Sequence, residues 1–143
     1  MLLVNAPLPC ENPPLTAANM ALELQELLAP ICTDWKSRGR TIGFGVGIAM
    51  GPATVGRIGF DKRMDYAAIG TVTNLAARMC GVAEDGEILV EKSMASKLPP
   101  DLRVTSRGAN VLKGFPHPVE IYQLEKRRAA LQVDAQSVAT SQT

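Results

Sequence analysis

Asp65-Tyr66-Ala67-Ala68-Ile69-Gly70-Thr71-Val72-Thr73-Asn74-Leu75-Ala76-Ala77-Arg78 is the stretch on which the reading of this chain turns. Residues 65–69 read as a short strand, Gly70-Thr71 as a turn, and residues 72–83 as a helix. Asn74 and Arg78 stand four apart, which on a helix puts both side chains on one face, about 6 Å apart at Cβ. Asn74 can donate or accept, and Arg78 presents a fixed fork of cationic donors suited to phosphate. The helix start adds the positive end of its dipole. Together these make half of a polyphosphate site. Taken alone, such a pair is most often solvated polar cover on a helix surface.

Just upstream, residues 41–50 alternate glycine with larger apolar residues. Period two with glycine on one face argues a strand pressed close to another backbone. Gly51-Pro52 reads as a turn into residues 53–58, expected to be the antiparallel partner of that strand. Residues 60–63 read as a polar loop. Residues 5–14 form a proline-rich loop in which Asn12 can cap a helix and Pro13 can take its first position. Leu15, Ala18, Leu22, Leu24, Leu27, Leu28 and Ile31 give that helix an apolar stripe. It is expected to run to about residue 37, with a kink or break at Pro30. Met1-Leu2-Leu3-Val4 reads as a buried strand that begins abruptly, which points to a missing upstream portion.

Downstream, Asp85-Gly86 turns into a strand over 87–90. Residues 93–98 form a short helix stopped by Pro99-Pro100, and 102–106 and 119–124 read as further strands. From residue 125 to 143 the chain turns basic and then rich in Ser, Thr, Gln and Ala, and reads as a frayed helix and disorder. The order of elements predicts an α+β fold, with helices on one face of a mostly antiparallel sheet.

The 143 residues fit one domain, 46% hydrophobic and 20% charged, as in a soluble globular protein. A net charge of +1 gives no argument for nucleic acid or an anionic membrane, and 4% aromatics are too few for a base-stacking platform. No run approaches the roughly 18 apolar residues of a membrane span. Cys10, Cys32 and Cys80 match no zinc or disulfide pattern; they read as buried, inert thiols of a reducing, cytoplasmic setting.

The glycines at 43, 45, 47, 51, 56 and 59 make no phosphate loop, because no Lys-Ser or Lys-Thr follows them. His117 lies between two prolines with no acidic or cysteine neighbour and reads as a loop histidine. No serine stands in a nucleophile elbow. Asp61 and Asp65 lie four apart across a loop, and no closely paired carboxylates suggest a metal site. Asp65 could orient Arg63 or Arg57, the plainer reading being a surface ion pair.

Five segments in order complete the picture: Gly43 to Gly51; Val55-Gly56-Arg57-Ile58-Gly59; Asp65-Tyr66 through Ile69-Gly70 to Asn74-Leu75-Ala76-Ala77-Arg78; Gly86-Glu87-Ile88-Leu89-Val90; and Leu112-Lys113-Gly114 with Pro118-Val119-Glu120-Ile121-Tyr122. Over residues 1–124 the chain resembles the C-terminal portion of a class III adenylate/guanylate cyclase catalytic domain of bacterial type. The resemblance implies a ferredoxin-like, palm-type α+β domain working as a head-to-tail homodimer, or as a heterodimer with another cyclase subunit. It implies that a nucleoside triphosphate, ATP or GTP with ATP favoured, is converted to the cyclic 3′,5′-monophosphate and pyrophosphate for intracellular signalling. Two divalent ions, Mg²⁺ or Mn²⁺, are held by two aspartates of one subunit in that family, while the other subunit gives an asparagine for the ribose and an arginine for the transition state. Those two roles fall on Asn74 and Arg78. Lys113 falls in the segment where members often place a phosphate-binding lysine.

The chain also departs from the family pattern. The two metal-binding aspartates and the purine-reading lysine would lie before Met1, since residues 1–5 match the strand that follows the second aspartate. The other base-reading position falls on Ala67, which cannot hydrogen-bond a purine edge, and a phosphate-binding arginine of some members aligns with Gly45. The expectation is a domain carrying the Asn74/Arg78 half, with no metal ligands, N-terminally incomplete and inactive alone. The alternative is a non-catalytic, cyclase-like remnant that serves as a dimerisation module.

Overall fold

The computed structural model describes residues 1–60 and 62–126. The Asn12 side-chain oxygen accepts the Leu15 amide at 3.2 Å and Pro13 opens α1, Pro13–Ser37. A proline there forfeits no bond, because its N–H would lack a helical partner anyway. The break considered at Pro30 does not occur, and α1 runs through it. Contacts on either side hold the helix in place: Gln25 donates to the Gly86 carbonyl, and Lys36 pairs with the Asp85 carboxylate.

The remaining elements are β1 (Val46–Ile48), β2 (Thr54–Phe60), β3 (Arg63–Ile69), α2 (Thr71–Val82), β4 (Ile88–Glu91), α3 (Lys92–Ala95), β5 (Leu102–Asn110) and β6 (Val119–Lys126). Four strands make one sheet in the order β1-β4-β6-β5. β1 runs parallel to β4, and the other two pairings are antiparallel. β2 and β3 form a separate antiparallel hairpin, with Gly56 opposite Ala67 and Arg57 opposite Tyr66. At Gly59, with φ of +152°, a Cβ would lie 1.9 Å from the Arg63 carbonyl oxygen, so only glycine fits beside the turn.

The α+β, palm-type architecture is present, but details differ from the sequence reading: of residues 41–50 only Val46–Ile48 form a strand, and Phe60 and Arg63, read as loop, belong to β2 and β3. The 53–58 strand pairs with β3 rather than with the glycine-rich strand, whose partner is β4. The helices do not share one face. Ala18, Ala21 and Leu22 of α1 pack with Ile88, Val90 and Leu124, whereas Met79 of α2 packs with Leu89 and Ile121. Successive residues of a strand point to opposite faces, so α1 and α2 cover opposite faces of the sheet. β4 is buried along its whole length, as a strand covered on both sides must be. Residues 1–4 form no strand, and Met1 and Leu2 are exposed, because no described strand runs beside them. Glu125 and Lys126, read as the start of the tail, belong to β6, and residues 127–143 lie outside the described residues.

Met79, Ile88, Val90, Met94, Ile121 and Leu124 are the largest fully buried side chains. Each contributes roughly 1.5–3 kcal/mol through burial. Met79 is the one that fixes α2, the helix carrying Asn74 and Arg78.

Candidate functional site

α2 lies against β1 with no side chain between the two backbones. A Cβ on Gly47 would sit 2.4 Å from both the Ala76 carbonyl oxygen and the Cys80 amide nitrogen. One on Gly45 would meet the Ala83 Cβ at 2.8 Å. At Gly47 the strand face presses onto another backbone, as the spacing predicts, whereas Gly43 and Gly45 lie before β1 and Gly43 meets the Asp85 side chain. The helix start is fixed too: Gly70 caps it, and the Thr73 hydroxyl donates to the Gly70 carbonyl at 2.7 Å. Its far end is clamped through Asp85, which accepts the Phe44 amide at 3.0 Å and pairs with Lys36. The Lys36 hydrogen bond, then the Phe44 amide, hold the Asp85 carboxyl below its ordinary pKa range.

On this seated helix Asn74 and Arg78 are both exposed. Among the described residues, no hydrogen bond or ion pair engages the side chains of Asn74, Arg78 or Lys113. Arg78 and Lys113 line one cavity of about 340 Å³, together with Ala77, Gly81, Val82, Val111 and Leu112. Buried Leu112, packed with Met79, ties the Lys113 segment to α2. Two cations with no internal partner facing one cleft have the chemistry to hold an oligophosphate. Asn74 lies one turn nearer the helix start and does not line the cavity.

Ala67 sits half-buried in β3, on the hairpin rather than at the cavity. Asp65 makes no ion pair among the described residues, so the pairing considered with Arg57 or Arg63 is not formed. His117 is exposed. The cysteines are free rather than deeply buried: Cys80 is exposed, and Cys10 and Cys32 are half-buried. Among the described residues, no group of three or more His, Cys, Asp or Glu could hold a metal ion. The residues described here therefore do not fit the pair of divalent ions that the resemblance implies. No described helix is long and apolar enough to cross a membrane.

Sequence reasoning passed over Gly81. A Cβ there would meet nothing within 4 Å, so the glycine leaves the cavity wall open. An isolated glycine within a helical pattern is the signal that could have found it.

The family profile described as Adenylate and Guanylate cyclase catalytic domain matches residues 1–126. The chain is 36% identical over 97 residues to the Receptor-type adenylate cyclase GRESAG 4.3 of Trypanosoma brucei brucei, a match covering 62% of this chain and 8% of that protein. The solved adenylyl cyclase CyaB from P. aeruginosa is similar at a TM-score of 0.77 and 31% identity, over 87% of this chain and 66% of that one. The guanylyl cyclase Cya2 is similar at 0.74 and 25% identity, over 89% and 65%. The chain thus spans under a tenth of the curated relatives it matches and about two thirds of these solved domains.

Proposed function

The chain belongs to the adenylate and guanylate cyclase catalytic-domain family, and from that premise we propose that it contributes the ribose and transition-state face of a composite cyclising site. The substrate is a nucleoside triphosphate, with ATP favoured because relatives at 31% identity or above are named adenylate or adenylyl cyclases. The ribose 3′-hydroxyl gives up its proton to solvent as its oxygen bonds to the α-phosphorus, the bond from that phosphorus to the α–β bridging oxygen breaks, and pyrophosphate leaves with that oxygen. Asn74 orients the ribose. Arg78 stabilises the charge that builds on the α-phosphoryl oxygens, and Lys113 holds the departing phosphates. The observation that carries this reading is the shared cavity of Arg78 and Lys113.

The carboxylates that hold Mg²⁺ or Mn²⁺ belong, on this reading, to an intact partner subunit docked head to tail. A preorganised donor aimed at developing charge is worth about 10²–10³ in rate. The test mixes the purified chain with an intact cyclase subunit whose own ribose and transition-state residues have been removed. Cyclic nucleotide should appear only in the mixture and fall at least about a hundredfold with Arg78→Ala. Product unchanged in Arg78→Ala would sink the composite site, and product from the chain alone would remove the need for a partner. A second reading, a dimerisation module without chemistry, draws on the hairpin, where Phe60 is 89% exposed.

A further inference from the structure

Glu87 is a buried carboxylate, 7% exposed, that the proposed chemistry does not use. Its Oε2 accepts the Glu84 amide at 2.9 Å, just past the end of α2. Its Oε1 lies 3.1 Å from Nη2 of Arg107. Its backbone joins the same junction, since its N–H donates to the Glu84 carbonyl and its carbonyl accepts the Val46 amide. Arg107 lies in the irregular step of β5 between Ser106 and Ala109, beside Gly108 with φ of +77°. Just past the end of β5, the chain brings Val111, Leu112 and Lys113 to the cavity wall. One carboxylate thus holds the end of the Arg78 helix with one oxygen and the strand leading to Lys113 with the other.

We propose that Glu87 and Arg107 form a brace that sets the gap between Arg78 and Lys113; its use in phosphate binding rests on the reading above. β6 lies between β4 and β5, so the Arg107 side chain reaches across a strand to make this link. The backbone ladder is interrupted at this step, so the Arg107–Glu87 pair adds, beside the packing of Leu112 on Met79, a link from β5 to the end of α2. Arg107 and Glu87 are positioning residues, because neither lines the cavity.

The test is titration of the full chain with inorganic pyrophosphate at low ionic strength, for wild type, Arg78→Ala, Arg107→Gln, Arg107→Lys and the Arg78→Ala/Arg107→Gln double variant. Amide hydrogen exchange at residues 81–82 and 111–113 is followed in parallel. Arg107→Gln should weaken binding about tenfold, Arg107→Lys should recover part of it, and the double variant should bind no more weakly than Arg78→Ala. A double variant whose losses simply add overturns the brace. If wild type binds no pyrophosphate, the phosphate reading falls, and exchange decides the brace separately. Faster exchange at both walls in Arg107→Gln then upholds it, and unchanged exchange overturns it.

Discussion

Gly47→Ala tests whether α2 is seated by backbone contact. The new methyl would lie 2.4 Å from the Ala76 carbonyl oxygen, 2.4 Å from the Cys80 nitrogen and 2.9 Å from the Met79 Cβ. The two closest atoms are backbone, so no rotamer change relieves them. Restoring ordinary contact needs α2 to retreat by about 1 Å, and overpacking of this kind costs roughly 1–3 kcal/mol. The fully buried Met79 stands on the same interface, which places the expected loss at the upper end, about 3 kcal/mol. With a urea slope near 1.5 kcal/mol per molar, the unfolding midpoint should fall by about 2 M at unchanged slope. Gly56→Ala is the control: its Cβ would meet nothing within 4 Å, and stability should stay within about 0.5 kcal/mol. In the mixed-subunit assay Gly47→Ala should lose more activity than its unfolded fraction explains, because a 1 Å misplacement can cost about a hundredfold. A Gly47→Ala midpoint matching that of Gly56→Ala would refute the seating.

The Lys36–Asp85 clamp carries a pH signature. Hydrogen bonding to Lys36 lowers the Asp85 pKa below 3.8, so the contribution is complete above that unfolded value and is lost as pH falls through the lower folded one. Lys36 is raised above 10.5, chiefly by its hydrogen bond to Asp85, so its part is complete below 10.5 and lost as pH rises through the higher folded value. The stability difference between wild type and Asp85→Asn should therefore be flat from about pH 5 to about pH 9 and shrink below about pH 3; a difference that keeps its neutral-pH size below about pH 3 contradicts the pairing. Glu91, 8% exposed, accepts from the Ser93 amide at 2.6 Å, the Ser93 hydroxyl at 2.6 Å and the Met94 amide at 2.8 Å. Glu91→Ala should cost about 1–2 kcal/mol in denaturant unfolding, and a loss under about 0.3 kcal/mol would show that α3 does not depend on this cap. Phe60→Ser, at a residue 89% exposed, should leave the melting temperature of the chain within about 2 °C; a larger drop would mean the hairpin is packed.

What the sequence revealed of the fold is what short-range chemistry dictates. Asn12-Pro13 ahead of an apolar helical stripe marks a helix start, and Gly47 marks a strand with a backbone against it. Strand pairing was not legible, because Gly51-Pro52 has the composition of a hairpin turn. In the structure that segment crosses the start of α2: a Cβ on Gly70 would meet the Pro52 carbonyl at 3.0 Å, and one on Gly51 would meet Val72 at 3.4 Å. The crossing carries the chain out of the sheet and leaves the edge of β1 to pair with β4. The two-sided helical cover was readable in principle. Ile88-Leu89-Val90 has no polar alternation, and a strand that is apolar on both faces needs cover on both.

Asn74 and Arg78 were legible because their relation is local, fixed by one helical turn. The neighbourhood of Arg78 and Lys113 was not, because it depends on the bulge in β5 and on Leu112 packing against Met79. Once placed, these residues fall into an order. The hairpin position Ala67 precedes α2, Asn74 follows in its first turn, Arg78 one turn on, and Lys113 lines the same cavity as Arg78. Four helical residues advance about 6 Å, a step on the scale of that from a ribose to the phosphates it carries. Base, ribose, α-phosphoryl group and leaving phosphates follow in the same order along a nucleoside triphosphate. The proposed roles therefore need no residue to reach past its neighbour. On the proposed roles, Asn74 stands outside the cavity because a group that orients the ribose would sit one step before the phosphates. An Asn74→Ala variant should accordingly weaken turnover in the mixed-subunit assay while leaving pyrophosphate binding unchanged, whereas Arg78→Ala should weaken both. Equal loss of pyrophosphate binding in the two variants would place Asn74 on the phosphates and undo this assignment.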